Sequence, residues 1–247
     1  MNIPAEFDEI RPYAPEELPQ VFEELIADPM FKAVVGQVMP GIPFDMIAAQ
    51  MRQCKTNLDF QKAFFYRLLK DLVQKCAKGL VFDCSAIKDK SINYTFISNH
   101  RDIVLDSALL SVVLIENGMN TVEIAIGDNL LIYPWIKKIV RINKSFIVKR
   151  GLGLREQLKS SMLMSSYMHY AISQKHENIW IAQRQGRAKD SNDRTQDSIL
   201  KMMVMGGEGD IFDRLKEMNL VPLSLSYEFD PCDYLKAKEA QQKRDDA

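Results

Sequence analysis

Apolar residues are spaced in two different ways along this chain. From Glu16 to Val38 they recur at helical spacing, with Leu18, Val21, Phe22, Leu25 and Ile26 on one face, which predicts a helix over that stretch. Met39-Pro40-Gly41-Ile42-Pro43 breaks it. Phe44 to Lys78 continues as one or two more helices, carrying the stripe Phe60, Phe64, Leu68, Leu69 and Leu72. Residues 1–15 read as an irregular, proline-containing lead-in.

After Gly79 short apolar runs alternate with helical patterns. Strands are expected at Tyr94–Ile97, Val122–Ile126, Phe146–Val148, Ile179–Ala182 and Val221–Tyr227. Helices are expected at Ile103–Asn117, at Leu130–Ile142 with Pro134 inside, at Leu154–Gln174, and on both sides of Gly206-Gly207-Glu208-Gly209. Such alternation predicts an α/β fold, a central, mostly parallel sheet flanked by helices, with an N-terminal helical layer. The expected division is a helical section, 1–78, packed on the core, a sheet domain, 79–234, and a charged helix or tail, 235–247. That last segment ends without a C-cap signal, which suggests a chain cut short.

Composition narrows this picture. A chain of 247 residues, 47% hydrophobic and 26% charged, suits one large α/β domain or two small ones. A net charge of -1 argues against a dedicated nucleic-acid binder. Cys54, Cys76, Cys84 and Cys232 form no CxxC pair, and no His/Cys group has zinc spacing, so free thiols in a reducing compartment and no metal are expected. The acidic N-terminus has no apolar core of a signal peptide, and no run approaches the roughly 20 apolar residues of a membrane-spanning helix. The expected location is cytoplasmic, with any membrane contact peripheral.

The chemistry begins at Ser98–Asp106, a polar turn between an expected strand and an expected helix. Of the three histidines, His169 and His176 lie within or just after a helical pattern, whereas His100 sits in this turn beside Asp102 and Asp106. A neutral imidazole can take a proton from a hydroxyl while a carboxylate on its other nitrogen fixes the tautomer. Either aspartate is close enough in sequence to serve. His100-Arg101-Asp102 also opens the kinase catalytic loop, but Ser107 stands where that loop needs asparagine, and neither DFG nor a Gly-rich loop is present. Two basic groups follow later strands, Lys149-Arg150 and Gln183-Arg184-Gln185-Gly186-Arg187-Ala188-Lys189. Guanidinium forks match phosphate oxygens, and Gly186 lets backbone approach a ligand, so a phosphate-bearing substrate near His100 is expected. The Gly206–Gly209 turn lacks the lysine and the strand-to-helix context of a phosphate loop and reads as a connection.

Four blocks then occur in order: Asn99-His100-Arg101 through Asp106 and Leu109-Leu110-Ser111; Gly127-Asp128-Asn129-Leu130 through Phe146-Ile147-Val148-Lys149-Arg150; Ile181 through Gln185-Gly186-Arg187; and Val221-Pro222-Leu223-Ser224-Leu225-Ser226-Tyr227-Glu228. Over Tyr94 to Tyr234 the chain resembles the glycerolipid acyltransferase family, in particular its glycerol-3-phosphate and dihydroxyacetone-phosphate branch. The resemblance implies an α/β sheet with a helical layer. It also implies transfer of a fatty acyl group from acyl-CoA or acyl carrier protein to a hydroxyl of glycerol 3-phosphate or a lysophospholipid-like acceptor. His100 would be the general base and Asp106 its partner. Arg150 and Arg187 would hold the acceptor phosphate with Gln185 and Gly186 beside them, and Pro222 would shape the last block. No bound cofactor is implied; the thioester is a co-substrate.

Two departures matter. The family sets four residues between histidine and aspartate, and this chain has five between His100 and Asp106. One extra residue turns a helix by about 100°, so the loop must absorb it or Asp102 must serve instead. Asp106 is preferred, because Leu109-Leu110-Ser111 shifts with it. Gln185 replaces the family's usual glutamate, which opens two alternatives: another acceptor, such as an amino-acid lipid, or a lipid-binding module without turnover. A lipid acceptor implies peripheral attachment to the cytoplasmic face of a membrane. The candidate surface is the N-terminal helices with Lys137, Lys138, Arg141 and Lys144.

Overall fold

The structure is a computed structural model and describes residues 3–189 and 192–245. In chain order come α1 (Leu18–Ile26), α2 (Pro29–Val38), α3 (Phe44–Gln53) and α4 (Asn57–Phe60), which runs through a π-helical segment (Gln61–Tyr66) into α5 (Arg67–Cys76). Then follow β1 (Thr95–Ser98), α6 (Leu105–Glu116), β2 (Val122–Gly127), α7 (Pro134–Ile142), β3 (Ser145–Val148), α8 (Leu154–Ser173), β4 (Asn178–Ala182), α9 (Asp197–Met203), α10 (Ile211–Glu217), β5 (Leu220–Leu223) and α11 (Asp233–Asp245). All five strands are parallel, in the order β3-β2-β4-β1-β5. The fold is therefore the α/β sheet with flanking helices that the alternation predicts.

Both sheet faces are buried, so alternation along a strand separates two cores rather than core from solvent. On β4, Ile179 and Ile181 pack with Tyr167, Met168 and Met203 of α8 and α9. Trp180 between them packs with Phe96, Ile124 and the α6 residues Leu110 and Leu114. The N-terminal helices form a third core: Leu18, Phe22, Leu25 and Phe60 close on Ile142, Ile139 and Trp135 of α7. This is the expected helical layer, docked on the sheet through α7.

Three boundaries differ from the spacing-based expectation. Glu16–Val38 is two helices: Asp28 accepts from the amides of Met30 and Phe31 and caps α2, with Pro29 in its first turn. Pro134 likewise begins α7 instead of lying inside it. The last strand ends at Leu223, because the backbone of Leu225 is taken by the Asn99 side chain in both directions, at 2.8 and 2.7 Å. The lead-in is irregular but held: Phe7 and Ile10 enter the α8 core, and Ile10 O accepts from Ile147 N at 2.9 Å.

The expected basic surface is also corrected. Arg141 is buried and donates to the carbonyls of Arg11 and Asp8. Lys144 is buried against Glu177 at 2.6 Å, and Lys138 pairs with Glu24. Of the four, Lys137 alone is exposed without an ion pair among the described residues. No described helix is long and apolar enough to cross a membrane. The charged C-terminal segment is helical as far as Asp245; its last two residues lie outside the described ones.

Candidate active site

Parallel strands deliver the loops at their C-terminal ends to one edge of the sheet. Ser98 is level with Ala182 and Leu223, and Gly127 with Val148. Past Ser98 and Ala182 the pairing continues into the loops: Gln183 N donates to Ser98 O at 2.7 Å, and Ala188 N to His100 O at 2.8 Å. The histidine turn and the arginine loop are thereby bound together. Asp193 completes the tie by accepting from His100 N at 3.0 Å.

Within the turn, His100 Nδ1 lies 2.9 Å from Asp106 Oδ2. The carboxylate of Asp106 is fully buried, and Oδ2 also accepts from the amides of Arg101 (2.7 Å) and Asp102 (3.0 Å). Oδ1 accepts from the Tyr227 hydroxyl at 2.9 Å. Burial, reinforced by the Asp106 charge, holds the Tyr227 phenol well above its usual range, so it remains a donor. An acceptor-only carboxylate at Nδ1 puts the imidazole proton there and leaves Nε2 as a free base. Nε2 has no hydrogen-bond partner among the described residues, and the ring stands edge-on to Trp180.

Asp102 is used otherwise. Its Oδ1 accepts from Val104 N and Leu105 N, both at 2.9 Å, and so starts α6. The fifth residue between His100 and Asp106 is accommodated in this Asp102–Val104 turn, before the helix begins at Leu105. Asp106 then stands in the first helical turn and reaches back to the ring.

His100 opens on a cavity of about 520 Å³ whose lining also includes Arg150, Arg184, Gln185, Gly186 and Arg187. Neither Arg150 nor Arg187 has a side-chain hydrogen bond or ion pair among the described residues. Burial pulls the Arg150 guanidinium below its usual value, offset in part by nearby Asp128, which also accepts from Arg150 N. A desolvated cation without a partner favours an anionic ligand. Gly127 makes room for it: a Cβ there would lie 3.4 Å from Arg150 Nε and 2.5 Å from Asn129 Oδ1. Gly186 has φ +74°, a conformation that side chains disfavour.

The structure thus brings His100, Asp106, Arg150, Gln185, Gly186 and Arg187 together. Pro222 is not among them. It is exposed on the edge strand β5 and does not line the cavity; an edge is where a strand tolerates proline. The fourth block contributes instead through Leu225, held by Asn99, and through Tyr227. Tyr227 and Asp193 had no role assigned from sequence. A phenol inside the block Val221–Glu228 is a weak signal for the first, and nothing in the sequence marks the second.

A second cavity, of about 300 Å³ and almost wholly apolar, lies on the same sheet face between α5 and α6. Leu68, Leu69, Leu72, Val112 and Ile115 line it, and it shares Ile103, Ile124 and Ile126 with the histidine cavity. Among the described residues there is no group of three or more His, Cys, Asp or Glu side chains arranged to hold a metal ion. No known protein-family model matches the chain, and no curated protein is significantly similar to it in sequence.

Proposed function

We propose that this protein is an O-acyltransferase that moves a fatty acyl group from acyl-CoA or acyl carrier protein to a hydroxyl of glycerol 3-phosphate or a lysophosphatidate-like acceptor, a reaction of phospholipid biosynthesis. The observation that carries the proposal is a histidine oriented by a buried carboxylate, its free nitrogen opening on the same cavity as two unpaired guanidinium groups. Arg150 and Arg187 hold the acceptor's phosphate and place its hydroxyl at Nε2. Nε2 takes the hydroxyl proton as the oxygen attacks the thioester carbonyl. The tetrahedral intermediate collapses with cleavage of the C–S bond, and the imidazolium returns the proton to the departing thiolate. The acyl chain occupies the adjoining apolar cavity. No covalent enzyme intermediate is needed, because a thioester is already activated. Attachment to a membrane surface belongs to the same proposal, with exposed Leu68 and Leu72 of α5 and exposed Lys137 of α7 as the candidate contacts.

Gln185 favours a second reading, a lipid-binding module without turnover, since it supplies no carboxylate to fix the neighbouring arginines. A screen of acyl-CoA and acyl-carrier-protein donors against acceptors with and without phosphate separates the two. Ester product formed by the native chain and lost in His100→Ala supports the enzyme; acyl-ligand binding without product under every pairing supports the module.

A further inference from the structure

A third cavity, of about 140 Å³, lies on the opposite face of the sheet, between α8, α9 and the ends of β3 and β4. Ser160 and Ser161 of α8 and Ser198 of α9 line it, together with Arg150 and Arg184, which also line the histidine cavity. None of the three hydroxyls has a hydrogen-bond partner among the described residues. The Arg150 guanidinium is unpaired and desolvated. Arg184 Nε is buried without a partner, while its Nη1 donates to Asn192 O at 2.7 Å and stands 3.9 Å from Asp193. Lys149 also borders the cavity, but its ammonium is taken by Glu9 at 2.6 Å. Among the described residues no aspartate or glutamate lines the walls.

Two guanidinium groups with open donors, facing three free hydroxyls and no carboxylate, form a receptor for an oxyanion. We infer that this cavity is a second anion site, sized for one phosphoryl group and adjoining the histidine cavity at Arg150, Arg184 and Gln185. The inference rests on the chemistry of these walls and stands whether or not acyl transfer occurs next door. The same chemistry accepts free inorganic phosphate or a phosphate monoester carried on a longer molecule.

The test is a titration of the full chain followed by backbone-amide NMR, with inorganic phosphate in one arm and pantetheine 4′-phosphate in the other. Saturable shifts centred on the amides of Ser160, Ser161 and Ser198 are expected. A response to inorganic phosphate identifies the free ion as a sufficient ligand, and a response to the monoester alone identifies a carried group; either supports the site. Ser161→Asp and Ser198→Asp, which place a carboxylate on opposite walls, should each weaken binding at least about tenfold. Ser198 is exposed, so its variant keeps the test open if Ser161→Asp does not fold. Arg187→Ala, which touches only the histidine cavity, should leave these shifts unchanged. Absence of saturable shifts in both arms, shifts confined to Gly186 and Arg187, or shifts that persist in both aspartate variants would overturn the inference.

Discussion

The two ends of the sheet treat buried charge in opposite ways. At the start of the strands, Lys144 meets Glu177, Lys175 meets Glu123, and the Tyr167 hydroxyl donates to Glu123 at 2.6 Å. At the strand ends, among the described residues, Arg150 and Arg187 have no side-chain partner, and His100 has one nitrogen committed and one free. The histidines repeat the contrast. His169, like His100, sets Nδ1 against a carboxylate, that of Glu217, but its Nε2 is taken by Met203 O at 3.0 Å. A ring with both nitrogens bound to acceptors is a structural clasp; a ring with one nitrogen open to a cavity can move a proton. Perturbed or buried ionisable groups therefore do not mark a site by themselves. What distinguishes the site is the hydrogen-bonding capacity left open toward a cavity.

The most severe break in this comparison is His100→Ala. Turnover measured with a thioester donor should fall by about 10²- to 10⁴-fold while the thermal midpoint changes little. Lys144→Met should do the reverse. It leaves the half-buried Glu177 without its hydrogen-bonded cation, which costs about 1.5–3 kcal/mol, read as a lower denaturation midpoint, with activity per folded molecule retained. If Lys144→Met abolished activity in molecules shown to be folded, the division between the two ends would be wrong.

Next in size is the choice between the two aspartates. Asp106→Asn removes the negative charge beside the ring and puts an NH2 in place of one of its two oxygens. It should reduce kcat by about 10²-fold or more, because the imidazolium formed in the reaction loses the charge that stabilises it. Asp102→Asn keeps an oxygen for the amides of Val104 and Leu105 and should cost under about 1 kcal/mol of stability, with kcat within a few-fold of native. Equal losses of kcat in the two variants would reopen the rivalry.

A smaller effect is expected at the arginines. Charge-assisted hydrogen bonds contribute about 1.5–3 kcal/mol, so Arg187→Ala and Arg150→Ala should each raise KM about 10- to 100-fold for phosphorylated acceptors. Acceptors without phosphate should be affected by less than about threefold, which initial-rate measurements on matched acceptor pairs will resolve. A uniform increase across both classes would remove the phosphate role.

How far this contrast was legible in the sequence depended on the kind of contact. Strand-helix alternation is local, so the parallel sheet could be read from runs such as Ile179–Ala182. The His100–Asp106 pair could be read because both residues lie in one turn. Periodicity alone joined α1 to α2, since Asp28-Pro29 interrupts the backbone without interrupting the apolar face. The basic run around Lys138–Lys144 looked like a surface because its partners, Asp8, Glu24 and Glu177, are distant in the chain. Pro222 looked like part of the site because it belongs to a block; which residues of a strand face a cavity is settled by the sheet's neighbours, not by the block. Asp193 lies 93 positions from the amide it fixes, and no spacing rule reaches that far.

The mildest and most discriminating probe is Tyr227→Phe. Its hydroxyl touches neither cavity lining nor, in the proposed reaction, the substrate; it bonds the far oxygen of Asp106. Tyr227 is thus a positioning residue, acting on His100 through the carboxylate. Removing one neutral-to-charged hydrogen bond is worth about 1.5 kcal/mol at most here, because Oδ2 keeps its backbone donors. A decrease in kcat of about three- to tenfold with unchanged acceptor KM is expected from steady-state kinetics. In the Asp106→Asn background the same substitution should add little further loss, since the carboxylate it positions is already gone. Full additivity of the two losses would show that Tyr227 acts on the reaction by another route, and that the fourth block meets the site somewhere other than Asp106.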